Sequence, residues 1–139
     1  MNEAMIVQLL GELEGSGSEN AACALLALGP AVVLPLRRHF AHSASATIRK
    51  GIVEIIGRLR RPDDLGFFAL ALRDSDARVW QAAIDALVSQ PGDEALLHLC
   101  RAFESESAFP RRNSKKVSFL EEAISELRKP RPFGAGRPV

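Results

Sequence analysis

The chain of 139 residues has no tyrosine, one threonine, one tryptophan, two methionines and two cysteines. The scarcity of Thr and Tyr, against 38 Ala and Leu residues, argues against an all-β fold. Strands favour β-branched and aromatic side chains, whereas Ala and Leu lose least on entering a helix. Neither sign of charge prevails. With 18 basic and 17 acidic side chains the net charge is +1, so bulk electrostatics draws the chain to neither nucleic acid nor an anionic membrane. The first fifteen residues hold Glu3, Glu12 and Glu14 and no Lys or Arg. The basic start of a secretory leader is therefore missing, and a cytoplasmic location is expected. The longest uncharged run, Asn20 to Leu36, is cut by Gly29-Pro30 and Pro35, too short and too broken to span a bilayer. Cys23 and Cys100 lie 77 positions apart in apolar helical contexts and are expected to be reduced core thiols rather than a disulfide. No CxxC, HExxH, glycine-rich phosphate loop or supported Ser-His-Asp set occurs. His39 and His42 share a helical face and His98 stands near Cys100, but zinc requires three or four convergent ligands. No metal, cofactor or enzymatic activity is expected.

What the chain does have is an internal repeat. SATIRKGIVEIIGRL (Ser45 to Leu59) reappears thirty-one residues later as DARVWQAAIDALVSQ (Asp76 to Gln90). Ile48 matches Val79, Ile52 matches Ala83, Val53 matches Ile84, Ile55 matches Ala86 and Ile56 matches Leu87. The same offset carries Leu65, Phe68, Ala69 and Leu72 onto Leu96, Leu99, Cys100 and Phe103, and carries Ala21, Ala24, Leu25 and Leu28 onto Ile52, Ile55, Ile56 and Leu59. Apolar spacings of three and four predict helices over 2–13, 18–28, 31–42, 46–59, 63–73, 76–89, 92–104 and 114–128. Gly15-Ser16-Gly17, Gly29-Pro30, Arg61-Pro62, Pro91-Gly92 and Phe109-Pro110 separate them, because Pro cannot continue a helix and Gly weakens one. Asp76 and Ser114 are the expected N-caps, and Glu104 to Asn113 is an insertion relative to the period, expected to form a loop.

LGPAVVLPLRRHF (Leu28 to Phe40) resembles the outer helix of the HEAT repeat family, in the HEAT-like form found in phycobilin lyases. TIRKGIVEIIGRL and ARVWQAAIDAL resemble its inner helix, with Ile48-Arg49 at the family's Val-Arg position and Trp80 where Arg is usual. The resemblance covers residues 18 to 104; helices 2–13 and 114–128 fit by pattern. It implies an all-α fold over residues 1–128: a right-handed α-solenoid, or α-α superhelix, of about four HEAT-like helical hairpins, 2–28, 31–59, 63–89 and 92–128. The second helix of each hairpin would line a concave face. Stacking is required physically, since one amphipathic hairpin cannot bury its apolar stripe alone.

On helix 46–59, Ile48, Ile52, Ile55, Ile56 and Leu59 fall in one arc, with Lys50, Glu54 and Gly57 opposite. The period makes Glu54 equivalent to Asp85, and Asp85 equivalent to Glu122 once a six-residue insertion is allowed for. This predicts a row of carboxylates across the concave face, with Lys50, Gln81, Glu121 and Glu126 beside it. Such a row suits a protein partner with a basic surface, or is the ordinary charged side of surface helices. Trp80 is either a packing residue between hairpins or an interface anchor, a role for which tryptophan is enriched. Basic side chains cluster at Arg58, Arg60 and Arg61, at Arg111, Arg112, Lys115 and Lys116, and in the tail from Arg128, where solvated charge is expected. The tail KPRPFGAGRPV (129–139) holds three Pro and two Gly and is expected to be disordered on its own, with Phe133 its one apolar anchor. The expected role is a non-enzymatic protein-binding solenoid, an adaptor or an inhibitor of the immunity-protein type. One alternative is a nucleic-acid-binding HEAT-like protein using the basic clusters, which the acidic row and the lack of interleaved aromatics argue against. The other is a chaperone resembling the bilin lyases, for which no tetrapyrrole-binding constellation is present. The sequence leaves the oligomeric state undetermined.

Overall fold

Every predicted helix forms. A computed structural model describes residues 3–90, 93–108 and 114–129, and among these the chain is all-α. The helices are α1 (Glu3–Glu12), α2 (Ser18–Ala27), α3 (Val33–His42), α4 (Ala46–Leu59), α5 (Leu65–Ala71), α6 (Ala77–Val88), α7 (Glu94–Ser107) and α8 (Ser114–Arg128). Short 3-10 turns at Gly29–Val32 and Pro62–Asp64 lead into α3 and α5, each with Pro in its first turn, where the missing N–H costs nothing. Helix α7 runs on to Ser107, so the first part of the expected 104–113 loop is helical; residues 109–113 and the tail from 130 lie outside the described residues. Asp76 caps α6 as expected, its Oδ1 accepting from Arg78 N at 2.9 Å, whereas Ser114, expected as a cap, is the first helical residue of α8.

Consecutive helices pack as pairs, α1 on α2, α3 on α4, α5 on α6 and α7 on α8. Pairs are joined through their even-numbered members, α2 to α4, α4 to α6 and α6 to α8. On the other side α5 meets α7, and α3 meets α5 through Phe40, whose ring stands edge-on to Phe67 at 5.0 Å between centroids. One apolar core runs between the two layers, from Ile6 and Leu10 through Ile52, Ile56, Phe68 and Leu87 to Leu99 and Leu120.

The sequence period is also a register in space. Ser45 Oγ donates to Glu14 Oε2 at 2.5 Å, Arg61 donates to the Pro30 carbonyl at 3.4 Å, and Arg78 donates to Thr47 Oγ1 at 3.5 Å; each bond joins residues 31 apart. The turns before α4 and α6 repeat a single motif. Ser43 Oγ accepts from Ser45 N, and Asp74 Oδ1, its equivalent, accepts from Asp76 N. Between these turns lies Arg49, which donates to both oxygens of Asp74 at 2.9 and 3.2 Å and to the Ser43 carbonyl at 2.9 Å. Both side chains are largely buried, so the forked guanidinium satisfies the carboxylate in place of water.

Gly57 was expected on the solvent side of α4; it is buried, because α6 approaches there. A Cβ at Gly57 would lie 3.1 Å from the Ala86 Cβ, and Ala86 is fixed on a packed helix. Gly57→Val should therefore wedge α4 from α6 and cost about 1–3 kcal/mol. Adding Ala86→Gly should restore part of that loss in urea titrations of the double variant.

Asp64 occupies an apolar slot. Its equivalents are Val33 and Ala95, and all three are buried. Both Asp64 oxygens lack a hydrogen bond; the guanidinium groups of Arg61 and Arg37 stand off at 3.7 and 3.9 Å. Burial raises the carboxyl pKa above its ordinary 3.8, Arg61 and then Arg37 oppose that shift, and Asp63 adds to it. A raised folded pKa means that the native state holds its proton longer than the unfolded chain. The penalty is absent below about 3.8, develops as pH rises from there, and is complete once the folded carboxyl has ionised. Asp64→Asn should accordingly gain on the wild type as pH rises from about 3 to neutrality, read as a widening difference in Tm.

Candidate functional site

The side chains that the core leaves over on α4 stand one turn apart: Lys50, Glu54 and Arg58. Carried by the period, this column becomes Glu19, Cys23 and Ala27 on α2 and Gln81, Asp85 and Ser89 on and just after α6; with the insertion it becomes Ser118, Glu122 and Glu126 on α8. Glu54, Asp85, Glu122 and Glu126 are exposed, and Lys50 and Gln81 are half-buried. Two grooves run along this face. The first, about 350 Å³ between α2 and α4, is lined by Glu19, Cys23, Lys50, Glu54 and Arg58. The second, about 280 Å³ between α4 and α6, is lined by Glu54, Arg58, Arg60, Asp85 and Ser89 over a floor of Gly57, Ala82 and Ala86. Glu54 and Arg58 belong to both, so the grooves meet on α4.

The electrostatics differ from a plain acidic row. Glu54 lies 4.0 Å from Lys50 Nζ and one turn from Arg58, so charges alternate along α4. Such an exposed i,i+4 pair contributes only about 0.3–0.5 kcal/mol; its importance is to the pattern. Asp85 has only the uncharged Gln81 and Ser89 at the same positions of its own column, and partial desolvation in the groove pushes its carboxyl up from 3.8. Glu122 and Glu126 are not brought into either groove, and Glu126 is paired with Lys129 at 3.4 Å. Glu121 lines a separate cleft between α7 and α8.

Trp80 is not a surface anchor. It is 2 % exposed, with Phe119 edge-on at 5.5 Å and the Lys116 ammonium 5.8 Å from its ring. It fills the slot that Arg49 occupies one repeat earlier, so ring packing replaces an ion pair there. Cys23 is also not a core thiol: it is exposed, while Cys100 is half-buried and both are free. The period itself held the signal, since Cys23 stands thirty-one residues before Glu54; the almost wholly apolar sequence of α2 hid it. Two basic side chains expected in solvent are engaged instead. Lys116 is buried and bonds Glu106 Oε2 at 3.0 Å, and Arg61 lies against Asp63 and Asp64.

Among the described residues no three His, Cys, Asp or Glu side chains are placed to share a metal, and no single helix is long and apolar enough to cross a membrane. A maleimide probe should modify Cys23 in the folded protein well before Cys100, each rate read by mass spectrometry of digests. Equal rates would mean that the α2–α4 groove is closed in solution. No family model, curated protein or solved structure matches this chain.

Proposed function

We propose that the chain is a non-enzymatic HEAT-type α-solenoid that binds a protein partner across its even-helix face. The solenoid reading is supported by the pairwise helix order and by the bonds that join residues 31 apart. The binding reading rests above all on the two grooves that meet at Glu54 and Arg58. Extended faces built from one helix of each repeat are what stacked hairpins offer a partner, because every unit adds a register-matched column of side chains. The complementary surface carries basic groups opposite Glu19, Glu54 and Asp85, with acidic ones opposite Lys50 and Arg58. The role this reading assigns is to sequester such a partner, as an adaptor or as an immunity-type inhibitor. Engagement of Arg61 and Lys116 within the fold removes two cations from the clusters that a nucleic-acid role would use.

The triple variant Glu54→Lys, Asp85→Lys and Glu122→Lys tests this. Exposed charges reversed in this way change stability by about 1 kcal/mol or less in total, so the melt should stay near that of the wild type. A protein captured by the wild type should be lost by orders of magnitude, and the wild-type complex should weaken as salt is raised. Undiminished capture by the variant would move the binding function off this face.

A further inference from the structure

A second departure of the outer layer from the repeat, besides Asp64, lies between α5 and α7. Between α3 and α5, Phe40 and Phe67 fill the junction, and the Arg37 guanidinium lies 5.3 Å from the Phe67 ring. Thirty-one residues on, the same positions hold Ala71 and His98. One ring is lost and the other becomes a polar imidazole, so the α5–α7 junction cannot close in the same way. A cleft of about 410 Å³ opens there, with Gly66, Ala69 and Ala102 among its lining. Small side chains leave the room.

Two exposed guanidinium groups line the walls. Arg73, just beyond the end of α5, and His98 and Arg101, one turn apart on α7, line the cleft, and Lys116 reaches it from the first turn of α8. Among the described residues Glu106 is the one carboxylate there, and it is bonded to Lys116 at 3.0 Å. Arg73 and Arg101 are exposed and form no ion pair among the described residues. Arg101 stands in the slot that holds Leu70 one repeat earlier, so its charge is particular to this junction and not a feature of the repeating surface. Two guanidinium forks, each able to donate in parallel pairs, match the oxygens of a phosphate better than any neutral ligand.

We propose that this cleft binds a phosphate-class oxyanion between Arg73 and Arg101, with the His98 imidazole and the Ser105 hydroxyl as further donors. Its volume suits a phosphoryl group with a small attached moiety. Among the described residues no Phe or Trp lines it and His98 is its one ring, so a run of stacking platforms of the kind used for single-stranded nucleic acid is missing. The site lies on helices other than those of the even-helix grooves, and failure of either reading leaves the other standing.

The test is an NMR titration of the full chain at constant ionic strength, first with inorganic phosphate and then with a phosphoserine peptide against its unphosphorylated form. Saturable shifts at the end of α5 and along α7 are expected. Arg73→Gln with Arg101→Gln should weaken binding by about tenfold or more, while Arg38→Gln with Lys129→Gln, an equal change of charge elsewhere, should leave it unaltered. Inorganic phosphate binding as tightly as the phosphopeptide identifies a free anion as the ligand. A clear preference for the phosphopeptide identifies a phosphorylated side chain. Equal weakening by both double variants, no saturation with either probe, or duplex DNA binding through Arg73 and Arg101 in preference to phosphate would each overturn the proposal.

Discussion

The close approach of α4 to α6 is the constraint on which the rest of this chain depends. These helices meet where Gly57 faces Ala86, and the short distance between them is possible only because neither position carries more than a methyl group. Once the two axes are that close, the residues along them must keep step. The period of 31 then becomes a spatial register, and Thr47 comes to lie beside Arg78 and Pro30 beside Arg61. Arg49 locks that register from the side, tying the turn before α4 to the turn before α6 through Asp74 and the Ser43 carbonyl. A largely buried arginine with a bidentate carboxylate resists displacement, since moving either partner leaves a charge poorly compensated.

Within that register the backbone repeats while the slots change chemistry. One slot holds Arg49 and then Trp80, so an ion pair in one unit gives way to a ring packed on Phe119 in the next. Another holds Val33, Asp64 and Ala95, and the middle unit accepts a buried carboxylate whose hydrogen bonds are unmade. A third holds Cys23, Glu54 and Asp85, all exposed. Packing helix pair by helix pair permits this variation, because each pair needs a matching neighbour and not a core of fixed composition. Both candidate binding regions arise in this way: the even-helix grooves where the exposed column varies, and the α5–α7 cleft where an aromatic pair is missing.

Two buried ionisable groups show how unevenly the fold treats charge. Lys116 is buried but meets Glu106 at 3.0 Å and lies over the Trp80 ring, so its charge is compensated on more than one side. Asp64 is equally buried, and its nearest cations stand off beyond hydrogen-bonding reach. The first arrangement exchanges water for protein partners; the second only softens the loss of water. Stability of this domain is therefore tied to pH through Asp64.

The sequence by itself determined the helices, their order and their period, because those follow from local apolar spacing, from Pro and Gly punctuation and from a self-comparison that needs no structure. It also determined that Glu54, Asp85 and Glu122 face solvent, since exposure of one column member carries to the others by the offset. Only the tertiary structure decided what those residues meet. That Lys50 and Arg58 break up the acidity of the row, that Glu122 stands outside the grooves, and that Trp80 and Gly57 are buried all depend on how closely neighbouring helices approach. The exposure of Cys23 was implicit in its offset of thirty-one from Glu54, and the apolar surroundings of α2 concealed it. Periodicity along one helix fixes which way a side chain points relative to its own axis, but burial is set by a second helix whose distance depends on the small residues at the junction.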